Sequence, residues 1–396
     1  MKPVKKHIAL ITMYSHIEAY PPSLNAVEHL APLFDTVKIL VRNVITSNWS
    51  YPGNVELVPQ GDFINPEEVI KLPFLVKLRG YFRFGMSIRK IALEQNPKLF
   101  LFYDPITFVL FNIFVWRAVK KNNPIIWYHN HDVLFEGEVP KLSLANLFRI
   151  LELRFFKRLT FFSLPNEVRL KFFPIGVLKN RPVILPNYPS KSFYGAFMTE
   201  GLQKKERLRL IFQGQISRAI RLECFVNILP TIIDDHSIEL HLAGPIESSY
   251  QQELLQLAKK IGVQDKLFFY GRMAYKDLPE LTSSCHVGIA IYGDHNVMVR
   301  NMSTASNKIF EYACVGLPVI INDREEVKVE FEKYSWMHCS NITEQSLLEQ
   351  IFAITKSYEE LSKRARRDFE QYLNFEINFL PFKEEVANHL NSLRVL

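Results

Sequence analysis

Short apolar runs alternate with longer stretches of helical apolar spacing along almost the whole chain. In the first half His7–Met13, Val37–Val41, Lys98–Phe102, Ile125–Tyr128, Thr160–Leu164 and Val183–Leu185 read as buried strands. Helical patterns fill the gaps, near 22–33, 73–95, 105–121, 141–157 and 166–173. Strands separated by helices of this length pair in parallel through crossovers, which predicts a doubly wound sheet. The second half repeats the pattern. Its strands are Leu208–Phe212, Ile238–Ala243, Leu267–Tyr270, Val287–Ile291 and Pro318–Ile321, and its helices lie near 219–230, 249–261, 276–283, 303–315 and 343–372. A last helix covers 375–393.

Between the halves, Leu185-Pro186-Asn187-Tyr188-Pro189-Ser190-Lys191 places two prolines around a polar pair and stops any regular element. The expected organisation is therefore α/β, with a first domain over 1–190, a linker over 191–206, a second domain over 207–374 and a terminal helix over 375–396. At 396 residues the chain supports two cores, and 48% hydrophobic with 22% charged residues is ordinary for a globular protein. No run reaches the roughly 18 apolar residues of a membrane span. The basic start Lys2-Pro3-Val4-Lys5-Lys6 leads into a short apolar run without a small-residue cleavage site, which reads as a first strand and not a signal peptide. Cys224, Cys285, Cys314 and Cys339 have no paired spacing, which fits a reducing compartment and neither a disulfide framework nor a zinc site. A cytoplasmic location, free or at the inner face of a membrane, is expected.

The formal charge of +7 and a sequence pI near 9.0 point to a phosphorylated substrate or an anionic membrane surface. No nucleic-acid-binding signature accompanies them, so no nucleic-acid partner is expected. Two helical stretches carry the basic excess. Leu72–Ile91 sets Lys77, Arg79, Arg83, Arg89 and Lys90 beside Phe74, Leu75, Tyr81, Phe82 and Phe84, and Leu142–Phe162 sets Arg149, Arg154, Lys157 and Arg158 among Leu and Phe. Each reads either as a membrane-surface patch or as a crossover helix with a basic outer face.

The most informative stretch is Ser306-Asn307-Lys308-Ile309-Phe310-Glu311-Tyr312-Ala313-Cys314-Val315-Gly316-Leu317-Pro318-Val319-Ile320. Ser306 or Asn307 caps a helix whose first-turn amides stay free for an anion. Lys308 adds a positive charge at the same end. Glu311, one turn in, places a carboxylate where it can accept two hydrogen bonds from a diol. Gly316 ends the helix and an apolar strand follows. Phe212-Gln213-Gly214-Gln215-Ile216-Ser217-Arg218 also joins a strand to a helix. Gly214 there lets the backbone approach a ligand, and Arg218 and Arg221 offer planar forks suited to a diphosphate. Asp234-Asp235-His236 reads as a surface turn and not as a metal site.

The run Asn-Lys-Ile-Phe-Glu-Tyr-Ala-x-x-Gly-Leu-Pro-Val-Ile resembles the donor-binding motif of GT-B glycosyltransferases of the retaining family-four type. The resemblance implies two Rossmann-like domains facing a central cleft, with the last helix crossing back to the first domain. It implies transfer of a sugar, with retention, from a nucleotide-diphosphate donor to a saccharide or lipid-linked acceptor in polysaccharide or glycoconjugate assembly. It also implies no cofactor and no metal. By it, Glu311 holds the ribose, and Ser306, Asn307, Lys308, Gly214, Arg218 and Arg221 hold the diphosphate. Arg272 and Met273, after Gly271, meet the base. His131 and Asp132 match the His and Glu of the family's Asp-x-His-Glu strand end, with His129 in place of the Asp, and they face the sugar. The titration of histidine near neutrality leaves proton transfer open to His131.

Three departures are visible. Ile220 stands where a second basic residue is usual, Arg221 where glycine is usual, and Ser303 where many relatives carry an earlier glutamate. A sugar-nucleotide epimerase of the same fold and a non-catalytic sugar-nucleotide-binding subunit are the alternatives.

Overall fold

The computed structural model describes residues 7–69, 71–131, 133, 140–203, 207–293 and 302–395. The chain forms two compact units, Met1–Pro186 with Asn378–Leu396, and Asn187–Ile377.

The first unit is built on strands β1 (Ile8–Met13), β2 (Thr36–Arg42), β3 (Val55–Gln60), β4 (Leu99–Phe102), β5 (Ile125–His129), β6 (Phe161–Leu164) and β7 (Val183–Ile184). Their order is β3-β2-β1-β4-β5-β6-β7, and every pairing is parallel. Ile11 sits at the centre, opposite Ile39 on one side and Leu101 on the other. Central strands β4, β5 and β6 are buried throughout, as expected of parallel strands covered on both faces. The terminal helix, Phe375–Val395, packs Phe382 against Trp127 and Phe161, with ring centroids 4.6 and 5.1 Å apart.

The second unit repeats the plan with β8 (Leu208–Gln213), β9 (Ile232–Ile233), β10 (His236–Ala243), β11 (Leu267–Gly271), β12 (Val287–Ala290), β13 (Val319–Asn322) and β14 (Met337–Ser340). Their order is β11-β10-β8-β12-β13-β14, all parallel, with β9 pairing antiparallel to β10. Asp234 and Asp235 form the turn of that hairpin, with φ of 46° and 65°. Two such residues are what a tight hairpin turn requires. The stretch is therefore a turn, though it follows a two-residue strand and not a helix.

Several expected elements are corrected. Strands β3 and β14, edge strands that are only partly buried and carry polar residues throughout, were not expected. The helix expected over 343–372 breaks at Ser357 into Glu344–Lys356 and Tyr358–Gln371. The segment 166–173 is a 3-10 turn, Glu167–Phe172. Residues 191–203, read as linker, belong to the second unit. Glu376 accepts hydrogen bonds from the Lys191 amide at 2.8 Å and the Ser192 amide at 3.0 Å, capping the short helix Lys191–Tyr194. Tyr194 is fully buried, and Arg366 donates to the Gly195 carbonyl at 2.7 Å and the Phe197 carbonyl at 3.0 Å. A stretch with buried aromatic anchors and paired backbone carbonyls cannot act as a free tether.

Candidate functional site

The helix Asn307–Cys314 forms because Ser306 caps it and its apolar positions face inward. Ser306 has extended backbone geometry and accepts from the Ile309 amide, while the Tyr292 hydroxyl shares a hydrogen bond with Ser306 Oγ. Asn187 pins the preceding turn. Its amide donates to the Thr304 carbonyl at 2.9 Å and its side-chain nitrogen to the Ala305 carbonyl at 2.7 Å. The helix lies close on the sheet because Gly288 of β12 has no side chain. A Cβ there would meet the Tyr312 ring at 2.2 Å.

This packing brings the helix start to the end of β8. Gly214 has φ of +115°, and a Cβ at that position would sit 3.4 Å from Lys308 Nζ. The Lys308 ammonium lies 4.1 Å from the ring centre of Phe212 and 4.8 Å from that of Tyr292. Among the described residues no carboxylate stands within ion-pair distance of it. Burial against these rings pulls its pKa down to about 7, opposed by the charge of Glu311. Beside it, Asn307 Oδ1 is buried without a hydrogen-bond partner among the described residues. First-turn amides have no partner inside a helix, and the helix dipole adds positive potential there.

Glu311 is buried one turn further along and accepts from Gln213 Nε2 at the tip of β8. Gln213 is itself fixed, its side-chain oxygen accepting from Thr282 Oγ1 at 2.9 Å and its amide donating to the Tyr312 hydroxyl at 3.0 Å. Burial pushes the Glu311 carboxyl up to about 7, while Gln213, the Tyr275 hydroxyl and Lys308 pull it down. Gln213, Tyr275 and Thr282 were not singled out from the sequence. A glutamine closing the apolar run Leu-Arg-Leu-Ile-Phe was the signal for the first of them.

The arginines are placed otherwise. Arg218 extends over the Tyr250 ring, 4.8 Å from its centre, and binds both carboxylate oxygens of Glu253, one of them at 2.8 Å. That partner raises the Arg218 pKa and lowers that of Glu253. Arg221 takes φ of 58°, in the left-handed region, and its side chain reaches Cys224 Sγ at 3.8 Å. Arg272 is exposed and Met273 half-buried just after Gly271, at the end of β11. The structure thus gathers Gly214, Ser306, Asn307, Lys308 and Glu311, and gives Arg218 and Arg221 partners of their own.

In the first unit His131 is buried between Tyr20 and Tyr103, both stacked at 5.2 Å, with Nε2 2.8 Å from Ser23 Oγ. His129 Nδ1 lies 2.8 Å from Ser163 Oγ, which also accepts from Trp127 Nε1 at 2.7 Å. Burial lowers the His131 pKa well below its ordinary value and that of His129 to about 3. This corrects the expectation of titration near neutrality, since a buried ring beside Arg169 disfavours a second positive charge. His131 is a neutral hydrogen-bonding group here. Asp132 lies outside the described residues. No group of acids, histidines and cysteines arranged to hold a metal ion occurs among the described residues.

With this geometry in hand, residues 207–351 match the family model described as Glycosyl transferases group 1. No curated protein matches the chain by sequence. Among solved structures the chain is similar to sucrose-phosphate synthase from Thermosynechococcus elongatus, at 13% identity and a TM-score of 0.69, covering 98% of this chain and 100% of that one. It is similar to Anabaena HepE in complex with UDP-glucose, at 13% identity and a TM-score of 0.63, covering 97% and 99%. A third similar structure is a putative UDP-N-acetylglucosamine 2-epimerase from Listeria monocytogenes, at 10% identity and a TM-score of 0.61, covering 98% and 97%.

Proposed function

We propose, for a chain whose residues 207–351 match the Glycosyl transferases group 1 model and whose fold is GT-B, that the second unit binds a nucleotide-diphosphate sugar and that the enzyme passes the sugar to an acceptor hydroxyl. One observation carries this reading. A cation with no carboxylate at ion-pair distance and an amide oxygen with no hydrogen-bond partner, both among the described residues, stand at a capped helix start one turn from a buried carboxyl. The unpaired charge fits a diphosphate, and the carboxyl fits a ribose diol. Lys308 and the first-turn amides stabilise negative charge as it develops on the leaving diphosphate. Gly214 leaves room for that group beside Lys308, and Gln213 holds Glu311 in place. Transfer with retention, and neutralisation of the leaving group by these side chains, are parts of the proposal. So are a saccharide or lipid-linked acceptor and a role in polysaccharide or glycoconjugate assembly.

Epimerisation of a sugar nucleotide needs free acid and base carboxyls. Two carboxyls of the first unit, the buried Glu152 and the half-buried Asp104, are engaged. Asp104, pushed up to about 6 by burial, accepts from the Tyr14 and Thr107 amides at 2.6 and 2.8 Å. Glu152, pushed up to about 7, accepts from the Tyr128 hydroxyl at 2.6 Å.

The deciding experiment is thermal unfolding of the purified protein with UDP, GDP and ADP, uridine first because the HepE structure holds UDP-glucose. A ligand bound only by the native state raises the transition by about 2.7 kcal/mol of stability at a hundred times its Kd. A shift with one nucleoside diphosphate that disappears in Glu311→Ala and Lys308→Ala supports the reading. No shift with any of them ends it. An unchanged transfer rate in chelator supports neutralisation by Lys308, and abolition of the rate overturns that part.

A further inference from the structure

The helix Phe74–Gln95 of the first unit turns an unusual face to solvent. Its inner face, Phe84, Gly85, Ile88 and Ala92, is buried against its own unit, where the helix Pro105–Phe114 is its neighbour. The outer face carries Leu75, Phe82, Met86 and Leu93, which are 75, 57, 42 and 53% exposed. These positions recur at helical spacing and form one stripe. Arg79, Arg83 and Lys90 are exposed along the same outer side, spaced so that they run beside the stripe. At the helix start Phe74 and Val76 are exposed as well, and Pro73 provides no side-chain cap. Glu94 is the only acid in the helix. A soluble crossover helix shows polar residues on this side, so its apolar side chains are a surface that expects cover.

We infer that this face seats the protein on an anionic lipid bilayer, with Leu75, Phe82 and Met86 at the acyl boundary and Arg79, Arg83 and Lys90 on lipid phosphates. Charge complementarity selects this occupant. The cations lie beside the apolar stripe on the same outward side, and covering them with protein would demand a matched acid for each. A headgroup layer supplies phosphates at every position while accepting the apolar side chains beneath. At 22 residues the helix spans roughly 33 Å, long enough to lie along the surface. No helix among the described residues is long and apolar enough to cross a membrane, so the contact is peripheral. The excess charge of +7 adds attraction at longer range.

The test is co-sedimentation of the full chain with vesicles of phosphatidylcholine alone or mixed with phosphatidylglycerol, at low and high salt. Binding to the anionic vesicles, weakened by salt, is expected. Arg79→Glu/Arg83→Glu lowers the partition coefficient at least tenfold, since each basic residue contributes about fivefold. Leu75→Asp/Phe82→Asp does the same. Both double variants keep the wild-type melting transition. If the aspartate pair does not fold, Leu75→Ser with Phe82→Ser replaces it. Partition equal for wild type and the charge-reversed variant overturns the inference. So does a failure of anionic vesicles to bind the protein, or a concentration-dependent dimer abolished by Leu75→Asp, which would assign the stripe to a second copy of the chain.

Discussion

Two sheets of the same plan carry polar clusters at their strand ends, and the clusters are finished differently. In the first unit His131 is bonded to Ser23 and clasped by two tyrosines, His129 is bonded to Ser163, and Glu152 takes the Tyr128 hydroxyl. In the second, Glu311 is bonded to Gln213, yet among the described residues Lys308 has no carboxylate at ion-pair distance and Asn307 Oδ1 has no partner. A satisfied buried network fixes a shape, whereas an unsatisfied group marks where something else binds. The comparison therefore sharpens the proposal that a nucleotide binds the second unit, where the open groups gather at one helix start, and shows His131 and His129 already engaged by hydroxyls.

The sharpest break of this contrast is substitution at both clusters with one readout. Lys308→Ala and Glu311→Ala should each weaken binding of the nucleoside diphosphate that shifts the melting transition by about 2–3 kcal/mol, roughly thirty- to 150-fold in Kd by calorimetry, as expected for charged hydrogen bonds. Ser23→Ala should leave that Kd unchanged. An equal loss in all three variants would erase the distinction.

Acid should then separate the units. His129 has a native pKa of about 3, well below its ordinary 6.5. As pH falls below 6.5 the unfolded chain takes a proton that the native state refuses. Stability present above 6.5 is therefore lost on acidification, by about 2 kcal/mol between pH 6.5 and 5. Urea unfolding should show this slope in the wild type and a smaller one in His129→Gln. In the second unit the shifts act on the ligand. Below about 7 Glu311 gains a proton and loses its charge and one of the two oxygens that can accept from a diol, and above about 7 Lys308 loses its charge. Affinity for the nucleoside diphosphate that shifts the melting transition should peak near neutrality and fall up to about tenfold per pH unit on either side. A flat profile from pH 5.5 to 8.5 would remove both groups from the binding surface.

The smallest effect concerns the arginines. Arg221 occupies a left-handed position, so Arg221→Gly should raise stability by about 1 kcal/mol, read as a higher melting temperature. Because Arg218 is held by Glu253, Arg218→Ala should weaken UDP binding less than Lys308→Ala does.

Periodicity alone revealed the doubly wound halves, since buried parallel strands such as β4 are apolar without interruption. It missed β3, β9 and β14, which are short or interrupted by polar residues. The motif around Glu311 was legible because capping, charge and a glycine stop lie within a dozen consecutive residues. The left-handed Arg221 was foreshadowed by its standing at a position where glycine is usual.

Local chemistry along the chain thus determined the strands, the capped helix and the acid and base it carries. Which groups are paired was decided only by folding. Glu253 reaches Arg218 across 35 positions, Gln213 reaches Glu311 across 98, and burial against Phe212 and Tyr292 sets the charge of Lys308. Pairing and desolvation depend on distances through space, and these a linear order of residues does not contain.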